Sequence, residues 1–254
     1  MSDFGARADC LRVFESQLRN VFLAAPRPPL NHLRILRVVF NTTPLHVILD
    51  SLRLVPYLEE LRLHIHSAPA PTALPQTLVG VSLKRLAVLE YGLFNDSVRQ
   101  FAALIDAPAL RSLTVQMRLL PDDNMDAVLN RMSDSLTDLT INDGRLDVDS
   151  LPILRGLKCL EVLAIKSSTC ITDAFFHAIA EDPLCFPRLR SVTLADTACI
   201  EPDDGGGLET LLRERNGTGT RTTDAAFSPS RITEVALSSA SVPDWLKAHV
   251  RHLI

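Results

Sequence analysis

Few residues in this sequence stand at spacings that could do chemistry. His64 and His66 lie two apart and could together hold a metal ion. Gly205-Gly206-Gly207 precedes a helical pattern, where backbone amides could receive an anion. No lysine follows it and Asp203-Asp204 come before it, so a flexible insertion is the expectation there. Asp122-Asp123 and Asp203-Asp204 are acidic pairs of the general acid–base type. Both sit where helix caps are expected, and capping explains them better. The five cysteines include Cys159, Cys170, Cys185 and Cys199, with no C-x-x-C and no zinc-type spacing. G-x-S-x-G, Walker-type, G-x-G-x-x-G and H-E-x-x-H motifs are absent. The expectation is therefore no catalytic residues, no cofactor and no metal, hence no enzyme.

Composition points to another kind of protein. Of 254 residues, 42 are leucine, while aromatics make up only 5%. That apolar content excludes a disordered chain, and ten glycines exclude a collagen-like one. The formal charge of −4 gives no reason to expect nucleic acid or an anionic membrane as partner. The longest segment free of Asp, Glu, Lys and Arg, Leu63 to Leu83, is broken by Pro69, Pro71 and Pro75, against a spanning helix. No signal peptide is visible, and the odd cysteine count suits a reducing compartment. An intracellular protein, cytoplasmic or nuclear, is expected.

The leucines are periodic. Leu33-x-x-Leu36-x-Val38-x-x-Asn41 sets a frame that returns at Leu58/Leu61/Leu63, Leu83/Leu86/Val88, Leu110/Leu113/Val115 and Leu136/Leu139/Ile141. It returns again at Leu160/Leu163/Ile165, Leu189/Val192/Leu194 and Ile232/Val235/Leu237. Starts are spaced 25, 25, 27, 26, 24, 29 and 43 residues apart, and six of these fall in the leucine-rich-repeat window. Alternate residues of a short parallel strand face one side, so the second and third slots point into a core. Each coil buries them only by stacking on its neighbours. The eleventh position places Cys170 and Cys199 in the same core column, as apolar thiols.

Between strands, Asn95-Asp96-Ser97, Asp147 to Asp149 and Thr172-Asp173 supply cap residues. Val98/Phe101/Ile105, Met125/Val128/Met132, Phe176/Ile179 and Leu208/Leu211/Leu212 come after them at helical spacing. The proline- and alanine-rich run Ser67 to Val79 predicts an extended segment. Three regions result: residues 1–29, 30–242 and 243–254. The first is an amphipathic helix (Ala8 to Ala25) or partial repeat. The second is a repeat domain of about eight copies with a flexible insertion near 201–230. The third is a helical cap using Trp245, Leu246, Val250 and Leu253.

The frame resembles the leucine-rich-repeat family over roughly residues 30 to 242. Cys170-Ile-Thr-Asp173, Phe175-Phe176 and Phe186-Pro-Arg-Leu189-Arg-Ser-Val192 resemble, more narrowly, the repeat style of F-box proteins with C-terminal leucine-rich repeats, fungal members included. The resemblance implies an α/β solenoid, with a curved parallel sheet on the concave side and helices and extended segments on the convex side. The asparagine slot holds Asn only at Asn41, and residues 1–29 do not resemble an F-box.

Binding belongs on the concave face, where stacked strands present a ladder of side chains. The first three repeats cluster Arg37, Arg62, Arg85 and His64 with Ile35, Val39 and Leu89; Gln116 continues the outer column. Arginines beside exposed aliphatics suit an interface centre. A solvated strand face, with arginine stems covering apolar neighbours, suits them equally. The expected function is a non-catalytic module that binds an acidic or mixed segment of an unidentified protein partner. The alternative is the substrate-reading part of an F-box-type ubiquitin ligase receptor, with ligase components as partners if the full gene product carries an F-box.

Overall fold

Parallel strand pairing, repeated through one backbone joint, sets the architecture. The computed structural model describes residues 11–16, 30–40, 45–65, 80–93, 101, 104–116, 129–167, 170–196, 198–201, 206–217, 229–238, 240 and 242–254. The protein is mixed α/β, with a large parallel β-sheet that does not close into a barrel. Among the described residues, no helix is long and apolar enough to cross a membrane. The chain divides into two compact units, Met1–Leu113 and Thr114–Ile254.

The first unit contains β1 (Val13–Ser16), β2 (Ile35–Phe40), helix α1 (Leu45–Arg53), β3 (Glu60–Ile65), β4 (Val81–Ser82), β5 (Val88–Leu93) and β6 (Ile105–Asp106). Strands β1, β2, β3 and β5 pair side by side in parallel, and β4 pairs with β6. Strand β7 (Ser112–Gln116) spans the boundary between the units. On α1, Ile48, Leu49 and Leu52 share one face at helical spacing and are buried.

The same turn precedes β2, β3, β5 and β7. The amides of Leu33, Leu58, Leu86 and Leu110 donate to the carbonyls three residues earlier, at Leu30, Val55, Leu83 and Ala107. The carbonyl ahead of each strand accepts two amides at the start of the neighbouring strand. Arg12 O takes Arg34 N and Ile35 N, and Arg34 O takes Glu59 N and Glu60 N. Glu59 O takes Ala87 N and Val88 N, and Ala87 O takes Arg111 N and Ser112 N. A buried carbonyl left unpaired would cost free energy, so this joint fixes where one strand sits beside the next.

The joint corrects the third repeat. Its frame is Leu86/Leu89/Tyr91, not Leu83/Leu86/Val88, because Leu89 pairs with Leu61 and Tyr91 with Leu63. Leu83 instead starts the turn, as Leu30 and Val55 do. Tyr91 takes the third apolar slot with its ring edge-on to Phe101, at 6.2 Å between centroids. Burial pushes its hydroxyl pKa upward, and among the described residues that hydroxyl has no hydrogen-bond partner.

A second correction concerns the N-terminal segment. Within the helix expected over Ala8 to Ala25, Val13–Ser16 is strand β1, with Phe14 opposite Leu36. Leu11 and Arg12 stand ahead of β1 as Leu33 and Arg34 stand ahead of β2, so this segment supplies a strand. Ile105, expected on a helix, is in β6, while Phe101 is helical and buried. Ser67 to Val79 lies outside the described residues, and so do Asn95-Asp96-Ser97, Asp122-Asp123 and Asp203-Asp204.

The second unit contains β8 (Asp138–Asn142), β9 (Arg145–Leu146), helix α2 (Leu151–Leu154), β10 (Val162–Lys166), β11 (Cys170–Thr172) and helix α3 (Asp173–Glu181). It continues with β12 (Ser191–Leu194), β13 (Cys199–Glu201), helix α4 (Gly206–Asn216), β14 (Glu234–Leu237) and helix α5 (Asp244–Val250). Strands β8, β10, β12 and β14 pair in parallel; β9, β11 and β13 form a second, smaller parallel sheet. The same joint recurs: Thr137 O accepts Glu161 N and Val162 N, and Glu161 O accepts Arg190 N and Ser191 N. Asp143, Ser167 and Asp196, each four residues past the second slot, turn the chain with φ of 49°, 57° and 59°. Asp tolerates this left-handed conformation better than most side chains. That bend directs Leu146, Ile171 and Ile200 into the core from the small sheet.

Cys170 and Cys199 are the third correction. They face each other in register on β11 and β13 and form a disulfide, with Cα atoms 4.7 Å apart. They hold the small sheet covalently and are half-exposed, not buried as separate thiols. Cys185 stays free and buried, and burial pushes its thiol pKa up to about 12.

The glycine run and the segment after it are the fourth. Gly206 and Gly207 open α4, whose Leu208, Leu211 and Leu212 are buried. Gly207 N donates to the buried Asp173 carboxylate at 3.2 Å, while Thr172 caps α3 by accepting from Phe175 N. Asn216, at the end of α4, donates to Ile232 O and Leu253 O and accepts from Ile232 N. Within the insertion expected near 201–230, residues 206–216 are thus the packed helix that the spacing of Leu208, Leu211 and Leu212 predicts, and 202–205 and 218–228 lie outside the described residues. At the C-terminus Leu246 and Val250 are buried as expected, but Trp245 is 51% exposed.

A Cβ on Gly207 would lie 2.2 Å from the Asp173 carbonyl oxygen, which is backbone and cannot swing away. Gly207→Ala is therefore expected to lose at least about 2 kcal/mol in urea unfolding. A loss below about 0.5 kcal/mol, the range of a neutral surface change, contradicts the packing described.

Candidate functional site

The solvent-facing side of β1, β2, β3 and β5 is laid out by strand alternation. Leu36, Val38, Leu61, Leu63, Leu89 and Tyr91 point to the buried side, so their neighbours point away. Register then aligns these neighbours in rows across the strands. One row is Glu15, Arg37, Arg62, Glu90; the row before it holds Ile35, Glu60 and Val88; the row after it holds Val39, His64 and Gly92.

Two arginines side by side on adjacent parallel strands repel. Glu60 resolves this by sitting one row away from both. Its Oε1 accepts from Arg37 Nε and from Arg62 Nε, each at 2.8 Å. Arg62 also reaches Glu90 at 3.2 Å, His64 Nε2 lies 3.4 Å from Glu90, and Arg37 lies 3.8 Å from Glu15. The Glu60 side chain is only 17% exposed. Burial alone would push its carboxyl pKa up, but the hydrogen bonds and charges of Arg37 and Arg62 outweigh that and hold it below the usual value. Arg37 is raised in turn, chiefly by its hydrogen bond to Glu60.

This face therefore gathers Ile35, Arg37, Val39, Arg62 and His64, as the sequence suggests, but not as a free cationic patch. Three carboxylates, Glu15, Glu60 and Glu90, neutralise its two arginines. Two expected members are elsewhere. Leu89 is fully buried in the second slot, and Arg85 lies ahead of β5 with its guanidinium over the Tyr57 ring. Both shifts come from the three-residue change of frame in the third repeat. Gln116 is the last residue of β7 and falls in the second unit. Of the histidine pair, His64 faces Glu90, and His66 lies outside the described residues.

Sequence reasoning missed Glu15 and Glu90 and gave Glu60 no role. Glu90 was one frame shift away. Glu15 was hidden by the helix expectation. Among the described residues no group of three or more His, Cys, Asp or Glu is arranged to hold a metal ion. The arrangement can make hydrogen bonds and ion pairs with a polar partner while its aliphatic flanks lose water.

The Glu60 pKa sets a pH signature. A carboxyl lowered by folding stabilises the protein fully above its ordinary value of 4.5, and that contribution is lost as pH falls through the folded value. Glu60→Gln is expected to cost about 1 kcal/mol at neutral pH, since its partners are partly exposed. In urea unfolding the gap to the unsubstituted protein should close as both are taken below the ordinary carboxylate range. A gap independent of pH, or none at neutral pH, contradicts the network. No protein-family model matches the chain, and no curated protein matches it.

Proposed function

We propose that the chain is a leucine-rich-repeat solenoid acting as a non-catalytic protein-interaction module, which binds a partner protein through the concave face of its parallel sheet. The observation that carries this reading is the row Glu15–Arg37–Arg62–Glu90 with Ile35 and Val39 beside it. The strands that carry these side chains are fixed by lateral pairing, and the side chains stay partly exposed. Preorganised side chains lose less entropy when a partner docks. Because the arginines already have carboxylate partners, the face suits a segment of mixed charge with apolar contacts over Ile35 and Val39. Such a partner exchanges ion pairs instead of supplying a single sign.

The second reading is substrate recognition for an F-box-type ubiquitin ligase. It is supported by the resemblance of residues 170 to 192, whose Thr172 caps α3 and whose Phe175 and Phe176 are fully buried. Binding of a Skp-type adaptor by the full gene product supports it, and absence of that binding opposes it.

Affinity capture on the full chain tests the main reading. Ile35→Asp with Val39→Asp should lose at least about tenfold of each specific partner recovered, as expected for the centre of an interface. His177→Glu, on the exposed side of α3, should retain them. Retention of every partner by the double variant, with folding intact by circular dichroism, overturns the face as the binding surface.

A further inference from the structure

The turns that precede the strands of the first unit make a second surface of different character. His32, Tyr57 and Arg85 fill the same slot in consecutive coils, just before Leu33, Leu58 and Leu86, and all three are exposed. Shared slots in stacked coils are lateral neighbours. The Arg85 guanidinium accordingly lies 4.9 Å from the centroid of the Tyr57 ring, and Arg34 lies 5.5 Å from the same centroid. Arg34 is occupied: it pairs with Glu59 at 3.4 Å and donates to the carbonyls of Asn31, Leu33 and Tyr57. Arg85 is not. Among the described residues neither Arg85 nor its neighbour Lys84 has a carboxylate within ion-pair reach.

We propose that this strand-start edge docks an acidic segment of a partner protein, with the Tyr57-stacked Arg85 as the anchor for a carboxylate and Lys84 as the second cation. Three physical points carry it. Contact with the Tyr57 ring restrains the Arg85 guanidinium while the residue stays exposed, so less freedom is lost when a carboxylate arrives. The ring face holds Arg85 beside Arg34, whose charge Glu59 already balances, so the Arg85 charge is the one left for an incoming carboxylate. The patch crosses two inter-strand steps, roughly 10 Å, which three or four residues of an extended chain can span. That size fits a short acidic stretch. Two cations are few for a nucleic acid or an anionic membrane, whose binding rests on many phosphate contacts. The inference takes from the proposed function only that the chain binds another protein, and it puts the acidic contact on a surface other than the open face.

The test uses the full chain and a fluorescent peptide of alternating Glu and Ser, read by anisotropy. Binding is expected, weaker as salt rises. Arg85→Gln with Lys84→Gln should weaken it by about fivefold or more, and Arg85→Lys, which keeps the charge but loses the fork, by less. Arg213→Gln with Lys247→Gln, an equal loss of charge on α4 and α5, should leave the affinity unchanged. Absence of peptide binding, or equal binding by the Arg85/Lys84 variant with circular dichroism unchanged, overturns the proposal. Tighter binding of oligothymidylate or phosphatidylserine vesicles than of the peptide, lost in the same variant, also overturns it. If the peptide fails while Ile35→Asp with Val39→Asp still loses its captured partners, the edge falls and the open face stands. The converse result removes the face alone.

Discussion

The structure depends on a single backbone contact repeated from strand to strand: one carbonyl that accepts two successive amides at the start of the neighbouring strand. In the first unit it runs Arg12, Arg34, Glu59, Ala87, and in the second Thr137, Glu161, Arg190. Because the joint stands one residue after the first leucine of each frame, it puts equal slots side by side. The leucines then stack on leucines, and whatever sequence places between them forms rows on the other side. Hydrophobic burial supplies the stabilisation, but it is not directional. The joint supplies the direction, and so decides which side chains can meet.

The charge chemistry of the two candidate surfaces derives from that alignment. On the open face, register brings Glu90 beside Arg62 and Glu15 beside Arg37, with Glu60 between the two arginines. Individual exposed ion pairs contribute little, but a network around a largely buried carboxylate holds its members in place. At the strand-start edge, the same alignment sets Arg85 over Tyr57, with no carboxylate within ion-pair distance among the described residues. Two surfaces of one unit thus differ in how their arginines are used, although both derive from one repeat.

Much of this was legible in the residues. The leucine frames other than the third, the parallel strands they imply and the capping role of Thr172 could all be read from spacing and residue type. Leu83-Lys-Arg-Leu86-Ala-Val88 misled because it fits the frame as well as Leu86-Ala-Val-Leu89-Glu-Tyr91 does. Even spacing favoured the first, and only the joint at Glu59 and Ala87 decides for the second. The amphipathic run around Leu11 and Phe14 also obeys two periodicities, and pairing with β2 selects the strand. The disulfide had a signal that went unused: Cys170 and Cys199 share a slot one repeat apart, which makes them neighbours in the small sheet. The role of Gly207 could not be found in sequence, because it lies in a close approach to the Asp173 backbone 34 residues earlier.

The central claim is the register that sets Glu90, and not Arg85, beside Arg62. A double-mutant cycle tests it directly, with Arg62→Ala and Glu90→Ala alone and combined, each measured by urea unfolding. A favourable coupling of about 0.5 kcal/mol is expected for this partly exposed pair, and none between Arg62 and Arg85. No coupling with Glu90, together with a repulsive coupling to Arg85, would contradict the register and the face built on it.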